Sequence, residues 1–202
     1  MVNETVRAYD LDAAAYVAAG AQLPDSVRAD IEQFVERLGA GARVLEIGSG
    51  GGRDALLMEE LGLAVRRTDI TPAFVALLRE QGHEADLLDP LVDDVATPAG
   101  AYDGVWANAS LLHVDRADLP TVLTRLAAVT RPRGLLRASF KEGDGDGWST
   151  HGSIANPRHF TYWRADALRA AVAATGWTDV DLRAGIDGKR SESWLELMAV
   201  RG

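Results

Sequence analysis

Cysteine is absent from all 202 residues, which excludes disulfides and thiolate metal sites. No apolar run approaches the roughly 18 residues needed to cross a bilayer as a helix. Met1 to Asp10 carries Glu4 and Asp10 and no apolar stretch, so no secretory leader is read there. A cytoplasmic location away from membranes is the resulting expectation. Basic residues are also short: 21 Lys and Arg against 30 Asp and Glu give a net charge of −9. Proteins that grip phosphate backbones present basic faces, because counterion release by Lys and Arg supplies their affinity. Only the pairs Arg66-Arg67 and Lys189-Arg190 stand out, so nucleic acid is not an expected substrate. Neither an internal repeat nor a low-complexity tract is present. At 47% hydrophobic and 25% charged, the composition is that of a packed domain and argues against disorder.

The length suits one well-cored domain, residues 1–202. From Arg43 onward apolar runs alternate with helical stretches, the pattern of an α/β domain with a mostly parallel sheet. Strands are expected at 43–47, 64–69, 83–87, 102–107, 135–140, 179–184 and 194–200. Helices are expected at 53–61, 72–81, 118–129 and 164–175. Thr71-Pro72 is a helix start, and Gly62, Gly82, Gly134 and Gly176 stand where helices or helical loops stop. The link from Ala184 to Trp194 is too short for a parallel crossover, which takes about a dozen residues. The last strand must therefore run antiparallel, as a hairpin with its predecessor. Residues 1–40 read as helical, interrupted at Gly20 and Pro24, and form either a lid over the strand ends or a plain outer helix.

The strongest local signal is Glu46-Ile47-Gly48-Ser49-Gly50-Gly51-Gly52-Arg53, an apolar strand entering a glycine-packed turn before a helix. Ligands of open parallel sheets sit beyond such strand ends, where glycine lets the backbone approach closely. Any tight strand-to-helix turn also uses glycine. The spacing narrows the choice. A dinucleotide turn, Gly-x-Gly-x-x-Gly, fails when started at Gly48, because Arg53 occupies the third position. Started at Gly50 it reaches Ala55, a tolerated variant, but leaves Glu46 and Gly48 unexplained. The spacing Glu-x-Gly-x-Gly-x-Gly instead resembles the first motif of the class I S-adenosylmethionine-dependent methyltransferases. Later segments resemble small bacterial members labelled tellurite-resistance-like or ubiquinone-biosynthesis-like. The resemblance implies a Rossmann-like seven-stranded sheet with helices on both faces and an antiparallel last strand. It places Gly48, Ser49, Gly50 and Gly52 beside the methionine part of S-adenosylmethionine, with Glu46 supporting the loop and the cofactor amino group.

Asp69 ends the second strand, where a carboxylate either accepts hydrogen bonds from both ribose hydroxyls or caps the helix at Thr71-Pro72. Ile70 lies next to the expected adenine face. By resemblance, Asp86 accepts from the adenine amino group and Leu87 covers the ring, with Asp89 a competitor in the same loop. The resemblance also puts Asn108, Ala109 and Ser110 along the cofactor channel after the fourth strand, and closes Tyr9 over the cofactor, with Tyr16 in the same segment. Trp106, a bulky aromatic inside a strand, reads as core.

Methyl transfer from a sulfonium needs alignment, desolvation and, for some acceptors, a base. His113 follows the fourth strand and titrates near neutrality, so it is the leading base candidate, with packing or capping as the alternative; His151 is second. Residues 141–163 form a long acceptor-side loop in which Trp148, His151, His159, Phe160 and Tyr162 are candidate acceptor-pocket residues. Glu142, Asp144 and Asp146 lack the spacing and closing glutamate of a calcium hand, so a solvated acidic loop is expected and no metal. The acceptor is expected to be a small molecule or modified peptide carrying an O, N or S nucleophile, and an amine fits the loop's charge. A cofactor-binding partner module without turnover and, less favoured, an NAD-dependent oxidoreductase are the alternatives. A homodimer is compatible with the sequence, which does not fix the oligomeric state.

Overall fold

The computed structural model describes residues 2–150, 154–187 and 192–202, so His151 and the pair Lys189-Arg190 lie outside the described residues. Two helices, α1 (Val2–Ala19) and α2 (Asp25–Leu38), precede the sheet. There follow β1 (Arg43–Ile47), α3 (Arg53–Glu60), β2 (Ala64–Asp69), α4 (Pro72–Glu80), β3 (Asp86–Leu87) and β4 (Tyr102–Ala107). A 3-10 turn, Leu111–His113, leads to α5 (Leu119–Ala128) and β5 (Thr130–Lys141). The chain continues through β6 (Asp146–Ser149), β7 (Arg158–Thr161), α6 (Ala165–Ala173), β8 (Trp177–Asp187) and β9 (Glu192–Arg201).

Seven strands form one sheet in the order β3-β2-β1-β4-β5-β9-β8. The first five run parallel, and β9 is antiparallel to both β5 and β8. The short Ala184–Trp194 link thus produces the expected hairpin. The strands carry apolar side chains on both faces, as buried parallel strands must. Leu45, Ile47, Val105 and Leu136 pack with Leu123 and Leu126 of α5 and Leu168 and Val172 of α6. On the other face Val44, Trp106, Leu135 and Met198 meet Ile31 and Phe34 of α2 and Met58 of α3. Arg137 of β5 is buried on that face, bonded to Asp30 of α2 and Glu196 of β9, with its guanidinium 5.2 Å from the Trp106 ring centroid. The ion pair fixes where α2 lies on the sheet.

Two regions differ from the expectations. The strand expected at 83–87 shrinks to two residues. Gly82 and His83 donate their N–H groups back to Arg79 and Leu78 to close α4, and the Arg79 guanidinium takes the Ala85 carbonyl. Only Asp86 and Leu87 then remain for the ladder. The expected loop at 141–163 contains an antiparallel ribbon, β6 against β7, in which Trp148 faces His159. Its acidic residues are engaged: Asp144 pairs with Arg164, and Asp146 accepts from His159 Nε2 at 2.9 Å.

The N-terminal region divides between the two alternatives. α2 is an outer helix on the sheet face. α1 crosses the carboxyl ends of the strands, held by polar bonds at several points. Asp10 accepts from the Ala73 N–H at 2.8 Å, Asp12 from Asn156 Nδ2 at 2.9 Å, and the Gly20 carbonyl from Arg53 Nη1 at 2.7 Å.

The close approach of α2 to β4 depends on Gly104, where an added Cβ would stand 2.7 Å from Phe34 Cζ and 3.0 Å from Leu38 Cδ1. Gly104→Ala is expected to destabilise the fold by about 1–3 kcal/mol through overpacking. Thermal unfolding would register this as a melting temperature lower by several degrees.

Candidate functional site

The glycine turn is built from three alternate positions in left-handed conformation, with φ of 79° at Gly48, 53° at Gly50 and 78° at Gly52. L side chains rarely adopt this region. At Gly48 a Cβ would also meet Ser110 Cβ at 2.4 Å, so this glycine lets the ends of β1 and β4 close on each other.

Beneath the turn lies a buried polar layer. Glu46 accepts a hydrogen bond from Ser49 Oγ, whose oxygen in turn accepts the Thr68 N–H at 3.1 Å. Burial, and then the nearby charge of Asp54, push the Glu46 carboxyl up to about 8, partly offset by the Ser49 bond. Asp54 accepts from Trp106 Nε1 at 3.0 Å and from Asn108 Nδ2 at 2.9 Å. Ser139 Oγ donates to Asn108 Oδ1 and accepts the Ala109 N–H, both at 2.8 Å, which holds Ala109 at a φ of 52°.

Asp69 does two structural jobs. One carboxylate oxygen accepts the Gly50 N–H at 2.9 Å, and the other accepts the Thr71 N–H at 2.8 Å. Burial raises its pKa, opposed by those same backbone bonds.

A cleft opens over these strand ends, with about 940 Å³ of space not filled by protein atoms, part of it open to solvent. Of the residues singled out in the sequence, Tyr9, Tyr16, Gly48, Gly50, Asp69, Ile70, Asp89, Asn108, Ala109, Ser110 and His113 line it. Glu46, Ser49 and Gly52 are not in its wall, and support the turn from below or behind. Asp86 and Leu87 are not in the wall either. The Asp86 side chain turns to Arg66, 2.7 Å away, and Leu87 is 56% exposed. Leu88 and Asp89 line the cleft instead, because the Leu88 N–H bonds the Asp69 carbonyl at 2.9 Å and draws the loop across the end of β2.

None of the described acceptor-loop candidates lines the cleft. Trp148 is 44% exposed and stacks edge-on against His159, while Phe160 is buried in the core beneath His113. Tyr162 packs along the ribbon. His159 contributes its backbone, accepting from His113 Nδ1 at 2.6 Å. Thr5, Thr71 and Phe74 line the cleft without having been singled out for it. Phe74 was within reach of sequence reasoning, since it lies in the first turn of the helix that Thr71-Pro72 starts; Thr5 carried no such signal.

Tyr9, Tyr16 and Phe74 form an aromatic cluster over the glycine turn, with ring centroids 5.3–5.8 Å apart. Next to it, Tyr9 Oη lies 3.0 Å from His113 Nε2. Burial lowers the His113 pKa to about 4, and the charges of Arg158 and Lys141 act in the same direction. The imidazole is thus neutral at pH 7. Its environment includes Phe160, 4.8 Å from it between ring centroids.

The family model described as Methyltransferase domain matches residues 19–182. The chain belongs to the class I S-adenosylmethionine-dependent methyltransferases. A ubiquinone biosynthesis O-methyltransferase from Xanthomonas axonopodis pv. citri is 35% identical over 102 residues, which are 48% of this methyltransferase and 42% of that relative. The chain thus spans less than half the length of the curated relative it matches. In fold it is similar to the 1,6-didemethyltoxoflavin-N1-methyltransferase of Burkholderia thailandensis, crystallised with S-adenosylhomocysteine. That similarity has a TM-score of 0.74 at 22% identity and covers 100% of this chain and 90% of the other. The CcbJ methyltransferase of Streptomyces caelestis gives a TM-score of 0.73 at 18% identity, covering 98% and 99%.

The cofactor of this family is S-adenosylmethionine, and the methyltransferase's cleft fits it chemically. A buried carboxylate, Asp69, has lone pairs beyond its two backbone bonds for a cis-diol. Ser110 Oγ, in the cleft wall, is buried without a partner. The aromatic cluster presents ring faces suited to a cation.

Two outcomes are expected. A carboxyl raised from 4.5 to about 8 binds more protons folded than unfolded, so its contribution to stability falls as pH rises through that window. Glu46→Gln is therefore expected to flatten the pH dependence of the melting temperature between about pH 5 and 8, and to raise it at the alkaline end. Asp69→Ala is expected to weaken S-adenosylhomocysteine binding by about 1–3 kcal/mol in a folded variant, measured by calorimetry. Unchanged affinity there would leave Asp69 only its role as a brace.

Proposed function

We propose that this methyltransferase transfers a methyl group from S-adenosylmethionine to a nucleophilic O, N or S atom of a small molecule or peptide side chain. The observation that carries the reading is the meeting, in one cleft, of the left-handed glycine turn, the Asp69 carboxylate and the Tyr9–His113 pair. When bound, the cofactor supplies an electrophilic methyl carbon on a sulfonium.

In this reading Asp69 accepts hydrogen bonds from the ribose hydroxyls while it holds Gly50 and Thr71. Ile70 and Leu88 offer apolar surface beside it, and Asp89, rather than Asp86, is the nearby acidic group in the wall. The backbone at Gly48 and Gly50 approaches the methionine part, and Tyr9, Tyr16 and Phe74 exclude water above it. His113 and Tyr9 face the remaining part of the cleft, which takes the acceptor. Expelling water strengthens every charge interaction there and keeps the acceptor nucleophilic. Neither nucleic acid nor a membrane surface belongs to this reading, in keeping with the net charge of −9 and with no helix among the described residues long and apolar enough to cross a membrane. A cytoplasmic location accompanies it.

The test compares melting temperatures with S-adenosylhomocysteine and with NAD at equal concentration. A ligand at a hundred times its dissociation constant stabilises by about 2.7 kcal/mol, or several degrees here. A shift with S-adenosylhomocysteine alone is expected, since Arg53 breaks the dinucleotide spacing. A shift with NAD alone would overturn the reading. Binding without turnover of any acceptor would turn it into that of a cofactor-binding module.

A further inference from the structure

A second cavity opens at the amino ends of the strands, opposite the cleft. Arg43 and Tyr102, the first residues of β1 and β4, lie in its wall with Arg66 and Thr97. It encloses about 770 Å³ not filled by protein atoms, part of it open to solvent, and shares no wall residue with the cleft. The basic pair Arg66-Arg67, conspicuous in so acidic a chain, divides here. Arg67 spends both terminal nitrogens on Glu59, at 2.8 and 2.6 Å. Arg66 points the other way, as the next residue of a strand does.

This wall holds more donors than the protein satisfies. Arg66 gives Nε to Asp86, and Nη1 to the Val95 and Ala96 carbonyls and to Tyr102 Oη. Arg43 gives Nη1 to the Ala99 and Ala101 carbonyls. Among the described residues, Nη2 of both guanidiniums and Nε of Arg43 have no acceptor. Arginine only donates, so Tyr102 Oη is the acceptor at 3.0 Å, and its own O–H is left over. No described group accepts that proton, although Tyr102 is only 2% exposed. A buried donor in that state is costly unless something meets it. The Arg43 guanidinium lies 5.5 Å from the centroid of the same ring, so the unmet N–H and O–H groups gather around one tyrosine.

We propose that this cavity binds a phosphate group, free or at the end of a small ester, between Arg43, Arg66 and Tyr102. Unmet donors from three strands call for a ligand with several acceptor oxygens and negative charge. A tetrahedral phosphate can serve all three at once, whereas one guanidinium fork already satisfies a planar carboxylate. Glu84 and Asp86 also stand in the wall. Asp86 is already paired with Arg66 at 2.7 Å, and both carboxylates are exposed, so solvent and salt screen them. Two guanidiniums around one phenol repel each other, and an anion between them removes that repulsion. The same guanidiniums grip the carbonyls of Val95, Ala96, Ala99 and Ala101, so occupancy steadies that loop against the sheet.

The test uses the full chain with S-adenosylhomocysteine present, so that the cleft is not the place where phosphate binds. Glycerol 2-phosphate and inorganic phosphate are each expected to raise the melting temperature by several degrees. Chloride and malonate at equal ionic strength are expected to leave it nearly unchanged. Amide hydrogen exchange should slow at residues 95–101. Arg43→Gln and Tyr102→Phe should each weaken phosphate binding by about tenfold or more in calorimetry, the scale of a hydrogen bond to a charged group. Both variants should keep the melting shift that S-adenosylhomocysteine gives the unsubstituted protein, which shows that they fold. Tighter binding of the ester assigns the site to a phosphorylated metabolite, and tighter binding of inorganic phosphate assigns it to the free ion. The site is overturned by equal shifts in every salt, by malonate matching phosphate, or by no shift at all. It is overturned equally by undiminished binding in either variant, or by exchange protection confined to the cleft. Failure of S-adenosylhomocysteine to bind would sink the methyl-transfer reading and leave this test standing, because exchange locates the phosphate independently.

Discussion

The Asp69 carboxylate joins two turns that would otherwise be independent. One oxygen holds the glycine turn through Gly50, the other holds the start of α4 through Thr71, and the backbone carbonyl of the same residue receives Leu88 from the next loop. Three segments that wall the cleft are thereby set against one residue at the end of β2. Because the carboxylate is buried, its two N–H bonds offset a desolvation cost that would otherwise be several kcal/mol. The aromatic cluster inherits its position from this arrangement, since Phe74 lies in the first turn of α4 and Tyr9 and Tyr16 lean on it.

Below that brace, the layer of Glu46, Asp54, Asn108 and Ser139 carries polar bonds through the centre of the sheet. It explains why Asn108, though in the cleft wall, spends both ends of its amide on Asp54 and Ser139. What it presents to the cleft is mostly shape. Ala109, left-handed without being glycine, is held that way by Ser139, a cost on the order of 1–3 kcal/mol that the network sustains.

Strands β1, β2 and β4 were legible residue for residue: β1 reads as a buried apolar run, while β2 and β4, which carry polar residues, are bounded by the turn signals on either side. The glycine turn was legible because its backbone geometry demands a residue type. Asp86 and Leu87 end the third strand as expected but lie outside the cleft wall, because the Asp86 carboxylate turns to Arg66 on the neighbouring strand, a pairing that no local pattern records. The ribbon of Asp146–Ser149 and Arg158–Thr161 was hidden by its own composition: alternating glycine and acid reads as solvated loop until a partner strand is seen. That His113 lies in the cleft wall was legible from its position, but its tautomer hangs on the carbonyl of a residue 46 positions later. Chemistry that depends on a backbone atom of a distant residue leaves no trace in side-chain identities.

The placement of β9 governs how the sheet can be assembled. Glu192–Arg201 lies between β5 and β8, so the edge of β5 from Leu135 to Lys141 has no partner until a segment made much later has emerged from the ribosome. During that interval a long strand with apolar residues on both faces exposes its backbone donors and acceptors, the configuration most open to pairing with another chain. Only the arrival of β9 closes it. The same insertion brings Glu196 to Arg137, so the event that seals the sheet also completes the ion pair that seats α2. A chain interrupted before β9 would leave that edge of β5 unpaired within the sheet and Arg137 without Glu196.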